Sequence, residues 1–156
     1  MNLRFSLLSE DDGKADRQNF SCGTPELDAY LHRQANQDVA RGFSTVVLAR
    51  AMEEPATILG YYAFSAASVP IVSLPMEISK KMPRYRNVPA ILLGRLAVAL
   101  PVQGQRIGSL LLFDALRRAC AGEIAWAILR FISKYRRMPS SLAWFLRAAG
   151  YIQYHQ

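Results

Sequence analysis

A chain of 156 residues, 51% of them hydrophobic and 20% charged, is long enough to bury one sizeable core, which excludes a disordered chain. No apolar run approaches about eighteen residues, and Met1 to Ser6 lacks the basic-then-apolar layout of a secretion signal, so the expectation is a cytoplasmic protein with no membrane partner. The net charge of +7 is uneven: residues 124–156 hold five basic and no acidic side chains, and such a surface favours polyanions or a cofactor's phosphates as well as plain solvation. Cys22 and Cys120 stand far apart, without a CxxC or Cys/His cluster and with only two histidines in the chain, so neither a metal site nor a disulfide framework is expected.

In chain order, Leu3 to Leu8 predicts a short strand, and the polar stretch Glu10 to Asn19 a loop. A helix follows: Thr24 is an N-cap candidate, Pro25 suits the first turn, and Leu27, Leu31, Ala35 and Val39 recur at helical spacing until Gly42. Phe43 to Ala51 and Thr57 to Ala66 are rich in β-branched and aromatic residues, and the Glu53-Glu54-Pro55 turn between them predicts an antiparallel hairpin. Ile71 to Asn87 is punctuated by prolines, with room for one helical turn. Pro89 to Leu100 is a nearly continuous apolar strand, which predicts burial on both faces at the centre of the sheet. Ile107 to Cys120 predicts an amphipathic helix with Leu110, Leu111, Phe113, Ala115 and Leu116 among its apolar positions. Ile124 to Ile132 reads as a further buried strand, Pro139 to Ala149 as a last helix capped by Gly150, and Tyr151 to Tyr154 as a short closing strand. The order is mixed α/β (α+β), one domain over residues 1–156, without internal repeats or a linker.

The stretch from Gly94 to Ser109 carries the most chemical information, because it sets a strand, a glycine-bearing turn and a helix start in succession. A helix N-terminus exposes unpaired N–H groups and the positive end of the macrodipole, so it can hold a pyrophosphate where small residues such as Gly104 and Gly108 allow close approach. On pattern alone the same stretch is also an ordinary strand-to-helix turn.

Gln103, Gly108 and the strand before them resemble motif A of the GNAT acetyltransferases, Q/R-x-x-G-x-G/A, with Arg106 standing where that pattern has glycine. Phe20 to Leu31 (FSCGTPELDAYL) resembles the F-x-C-G-x-x-x-L-x-x-[FY]-L opening of the GNAT toxins of toxin–antitoxin pairs. Gly60 to Ser65 and Gly94 to Val98 resemble the same branch, so that the likeness covers roughly residues 20–120.

The resemblance implies a GNAT fold, a central mixed, mainly antiparallel sheet flanked by helices, with the last strand missing or short and residues 124–156 atypical. It implies an acetyl-CoA-dependent transferase, without metal, that acetylates the free α-amino group of aminoacyl-tRNA and blocks translation, with a ribbon-helix-helix antitoxin as partner. Backbone groups of Leu96, Ala97 and Val98 would bind the pantetheine arm as an added strand, and Gln103, Gly104, Gln105, Arg106, Ile107, Gly108 and Ser109 would hold the pyrophosphate. The amine attacks the thioester directly, and a tyrosine near the start of the C-terminal helix serves as general acid. In this sequence that position falls on Phe145, which has no O–H to donate, and Tyr135, Tyr151 and Tyr154 are the candidates to substitute for it. Lys80, Lys81, Arg84, Arg86 and Arg95 are the candidate tRNA contacts, joined by Lys134, Arg136 and Arg137, and Tyr85 could stack on a base.

Two other readings share the fold. One is a catalytically impaired GNAT domain that binds antitoxin and acetyl-CoA without turnover, motivated by Phe145; the other is an acetyltransferase for protein or small-molecule amines. An unpaired sheet edge at 124–132 would further invite a homodimer.

Overall fold

The computed structural model describes residues 2–11, 13, 15–81 and 86–121. Four strands, β1 (Leu3–Leu7), β2 (Thr45–Ala51), β3 (Ile58–Pro70) and β4 (Asn87–Val98), form an antiparallel sheet in the order β1-β2-β3-β4. The expected hairpin between residues 43 and 66 is present as β2 and β3, with Thr45 opposite Phe64 and Ala49 opposite Gly60. Among the described residues the sheet is wholly antiparallel. The strand expected at 124–132, the last helix, the closing strand, Arg84, Tyr85, Lys134, Tyr135, Arg136, Arg137, Phe145, Tyr151 and Tyr154 lie outside those residues.

The first helical segment runs where Pro25, the apolar spacing and Gly42 place it, but in three pieces: α1 (Pro25–Ala29), a π-helical turn (Tyr30–Gln34) and α2 (Ala35–Ala40). Thr24 occupies the N-cap without a side-chain cap hydrogen bond; its carbonyl accepts from the amides of Leu27 and Asp28. The widened turn buries two successive side chains, Tyr30 at 1% exposure and Leu31 at 0%, which a regular helix would set about 100° apart.

Each face of the sheet carries a helix. On one, the Tyr61 hydroxyl donates to the carbonyl of Leu27 in α1 at 2.8 Å; on the other, the Tyr62 hydroxyl donates to Asp114 of α4 (Ile107–Ala121) at 2.6 Å. Successive residues of a strand point to opposite faces, so these two bonds fix which side every inner residue of β3 and β4 serves. The large buried side chains Tyr30, Leu31, Tyr61, Leu48 and Val46 fill one side, and Tyr62, Val47 and Leu111 the other. Each such burial stabilises by roughly 1.5–3 kcal/mol.

β4 is the edge of the described sheet, the strand expected at 124–132 lying outside the described residues; its buried residues Leu93 (opposite Phe64) and Ala97 (opposite Tyr61) serve the two faces, while Leu92 is 37% exposed. One expectation is corrected. On α4, Leu111, Ala115 and Leu116 are buried as expected, but Leu110 and Phe113 are 46% and 51% exposed, because the 3.6-residue period that buries Ile107, Leu111 and Asp114 turns them outward.

Candidate cofactor site at the end of the fourth strand

The site is built by the way β4 stops. Its last residue, Val98, pairs with Gly60, and the chain then turns away: the amide of Ala99 still donates to Leu59, but that of Leu100 donates to Ser21, outside the sheet. A 3-10 turn (Leu100–Val102) and a tight loop (103–106) lead into α4. Gly60 is required by this approach. A Cβ there would lie 2.7 Å from the Ala97 carbonyl oxygen and 2.7 Å from Leu111 Cδ1, so only glycine lets α4 and β4 close on β3.

The loop has left-handed backbone at Gly104 (φ 79°) and at Arg106 (φ 65°), the only non-glycine residue with positive φ among those described. That explains why glycine suits the position of Arg106: an L side chain costs roughly 1–2 kcal/mol there. A left-handed residue followed by the right-handed start of a helix brings successive amides together as an anion-binding concavity. Among the described residues, the amides of Gly104, Arg106, Ile107 and Gly108 donate to no backbone carbonyl, whereas those of Ser109 and Leu110 donate to Arg106. An open recess of about 350 Å³ is lined here by Val98, Val102, Gln103, Gly104, Arg106, Ile107, Gly108 and Ser109. Four free amides, the positive end of a fifteen-residue helix and two glycines suit a pyrophosphate. The edge of β4 beyond Leu96, Ala97 and Val98 faces no other described strand, which suits an extended, amide-bearing chain laid alongside it. Both features fit a coenzyme A thioester.

Gln103 has a further task that its place in the motif did not reveal. Its side-chain nitrogen donates to the carbonyls of Cys22 (2.9 Å) and Val98 (3.0 Å), tying the loop to the segment before α1. That segment is itself pinned, since Asp28 accepts from the Cys22 amide (2.8 Å) and the Ser21 hydroxyl (2.9 Å). Burial works against the Asp28 charge, yet the hydrogen bonds from Cys22 and Ser21 hold its carboxyl below the usual value. The neighbouring Cys22 thiol is pushed up by burial and by Asp28, so it is a packed thiol rather than a nucleophile.

Sequence reasoning also missed the lock under α4. Asp114 is 5% exposed and accepts from Tyr62, from Arg117 (2.8 Å) and from Arg118 (2.8 Å). Burial disfavours its charge, but those three donors outweigh it and hold the carboxyl below the ordinary range, while burial and Asp114 push the Tyr62 phenol up. An aspartate in line with Ile107 and Leu111 on an apolar stripe, followed by arginines at i+3 and i+4, is the signal that could have found it.

The candidate substrate contacts do not gather in one place. Arg95 lies on β4 beside the site, half-buried, while Lys80, Lys81 and Arg86 are exposed near the far end of the β3–β4 hairpin. No group of His, Cys, Asp and Glu among the described residues could hold a metal ion, and no helix among them is long and apolar enough to cross a membrane.

No family model matches the chain. It is 37% identical over 103 residues, 66% of its own length, to a tRNA-acetylating toxin of Mycobacterium tuberculosis. The chain spans 59% of the length of the curated relatives it matches. The solved structure of AtaT complexed with acetyl-methionyl-tRNAfMet superposes with a TM-score of 0.72 at 27% identity, covering 81% of this chain and 74% of that one. That of AtaTR bound with AcCoA does so with a TM-score of 0.64 at 27% identity, covering 78% and 73%. The chain is thus a homologue of the tRNA-acetylating toxins and shares their GNAT fold.

Proposed function

We propose that the chain is an acetyl-CoA-dependent N-acetyltransferase that acetylates the α-amino group of aminoacyl-tRNA, inhibits translation, and is the toxin of a cytoplasmic toxin–antitoxin pair. The observation that carries the reading is the set of amides at Gly104, Arg106, Ile107 and Gly108, free among the described residues and set beside a strand edge that faces no other described strand. Its support from outside the chain is the named activity of the 37% identical relative, and the AcCoA and acetyl-methionyl-tRNAfMet in the AtaT structures.

Acetyl-CoA, when bound, supplies the acetyl thioester. The chain's own residues supply position: the loop 103–109 and the α4 dipole hold the two phosphates, and the backbone of Leu96, Ala97 and Val98 aligns the pantetheine arm. Catalysis of this kind rests on holding amine and thioester at reacting distance, for which Gln103, Gly60 and the Tyr62–Asp114 lock keep the loop and strand in register. Lys80, Lys81, Arg84, Arg86 and Arg95 are assigned to the tRNA backbone, a ribbon-helix-helix antitoxin to the partner, and a homodimer to the free state.

Transfer of labelled acetyl from acetyl-CoA to a pool of charged tRNA tests this directly, with calorimetric binding of acetyl-CoA alongside. Labelled aminoacyl-tRNA is the expected result; acetylation of free amines in preference to charged tRNA would move the substrate class. Phe145 motivates the second reading, a domain that binds acetyl-CoA and antitoxin without turnover. It predicts cofactor binding with no transfer, and a gain of about 10²–10⁴-fold in Phe145→Tyr.

A further inference from the structure

We propose that Arg95 holds the phosphate nearest the aminoacyl end of the bound tRNA, and that Tyr30 is the positioning residue that presents it. This rests on the acetyltransferase reading above. The guanidinium carbon of Arg95 lies 3.7 Å from the centroid of the Tyr30 ring. A guanidinium laid on an aromatic face keeps its in-plane N–H fork free, the geometry that meets a phosphate with two parallel hydrogen bonds.

The platform under it is fixed. Tyr30 stacks on Tyr61 (centroids 6.3 Å apart, 23° between planes), Phe20 meets Tyr61 edge-on at 5.5 Å, and the Tyr61 hydroxyl is anchored on Leu27. The Tyr30 hydroxyl itself is buried and has no hydrogen-bond partner among the described residues, so the residue serves by its ring and not by its O–H. The ring sits at the start of the π-helical turn, which buries it together with Leu31. Gly94 completes the arrangement from the other side. Opposite Ala63 and Phe64 stand Arg95 and Leu93, so Gly94 is the extra residue of a bulge, a device that re-aims the side chain next to it.

Among the described residues Arg95 makes no ion pair. Its place is equally specific. Arg95 precedes Leu96 on the strand edge and is three residues, about 10 Å, from Val98 at the recess, whereas Arg86 is roughly 30 Å further up the arm. Of the described candidate cations, Arg95 alone is near the reacting centre; the others can reach only more distant phosphates.

The test measures tRNA binding by fluorescence anisotropy across a salt series, with acetyl-CoA binding and steady-state KM and kcat on the same proteins. Arg95→Ala is expected to weaken tRNA about tenfold and to lower the log–log salt slope by about 0.7–1, with acetyl-CoA affinity within twofold of the parent. Tyr30→Phe should behave as the parent, and Tyr30→Met should raise KM for charged tRNA with little change in kcat. In the Arg95→Ala background Tyr30→Met should add nothing. Arg95→Lys keeps the charge without the flat fork, so it should restore the salt slope but not the affinity, a check that stands even where Tyr30→Met fails to fold. An unchanged slope in Arg95→Ala, or additive effects of the two residues, would overturn the proposal while labelled transfer to charged tRNA still upheld the function. A parent protein that binds no tRNA and acetylates none would overturn both.

Discussion

The β3–β4 hairpin has two halves of opposite character. The inner half, from Gly60 opposite Val98 to Phe64 opposite Leu93, lies against β2, carries helices on both faces and buries Tyr61, Tyr62, Ala63, Leu93 and Ala97. The outer half, from Ser65 opposite Leu92 to Pro70 opposite Asn87, extends past the last β2 pair at Thr45; among its described side chains a small cluster centres on the buried Val69, packed by Ala67, Leu74 and Ile91. One strand pair therefore serves as rigid floor at one end and as a reaching arm at the other. On the function proposed above, preorganisation is concentrated where acetyl-CoA would be held to within a fraction of an ångström, and cationic reach where a long polyanion would need only to be steered.

The sharpest way to break that contrast is Gly60→Ala. The added methyl meets a backbone oxygen, so it should cost about 2–3 kcal/mol, read as a lower urea midpoint, with acetyl-CoA binding lost in parallel. Asp114→Ala comes next, at about 2 kcal/mol, because it leaves the buried Tyr62 hydroxyl unpaired. The same group sets a pH dependence. A carboxyl held below its unfolded value stabilises the fold at neutral pH, and this contribution is lost as pH falls from about 4 through the lower folded value. Melting curves of Asp114→Asn should be flatter than the parent's over that range. Gln103→Met should weaken acetyl-CoA about tenfold, near 1.4 kcal/mol, and speed amide exchange around Cys22 with no effect at the arm.

On the outer half the effects are smaller and of another kind. Arg86→Ala should leave stability and acetyl-CoA affinity alone and lower the tRNA salt slope by about one. Smallest of all, Arg106→Gly should gain about 0.5–1 kcal/mol by relieving the left-handed backbone, seen in thermal melts. An accompanying fall in acetyl-CoA affinity would assign the guanidinium to a phosphate.

Much of this was legible in the sequence because local patterns and long-range packing agree. The strand-turn-helix order around Gly104, the hairpin about Glu53-Glu54-Pro55 and the helix begun by Pro25 all occur where residue chemistry puts them. What was not legible depends on partners far apart in the chain. Leu110 and Phe113 look as apolar as Leu111 until the helix phase is set by β3. Asp114 gains its meaning only from Tyr62, Gln103 only from Cys22, and Arg95 only from Tyr30, at separations that no spacing rule covers.

The double hydrogen bond of Gln103 also sets the order in which the recess can come into being. Its two acceptors lie 81 and 5 residues back in the chain, so the side chain is satisfied only once the segment before α1 has docked beside the end of β4. The seven residues 103–109 on their own would not hold this shape. The recess is a property of distant segments that have met, and a peptide copied from the loop alone would lack it.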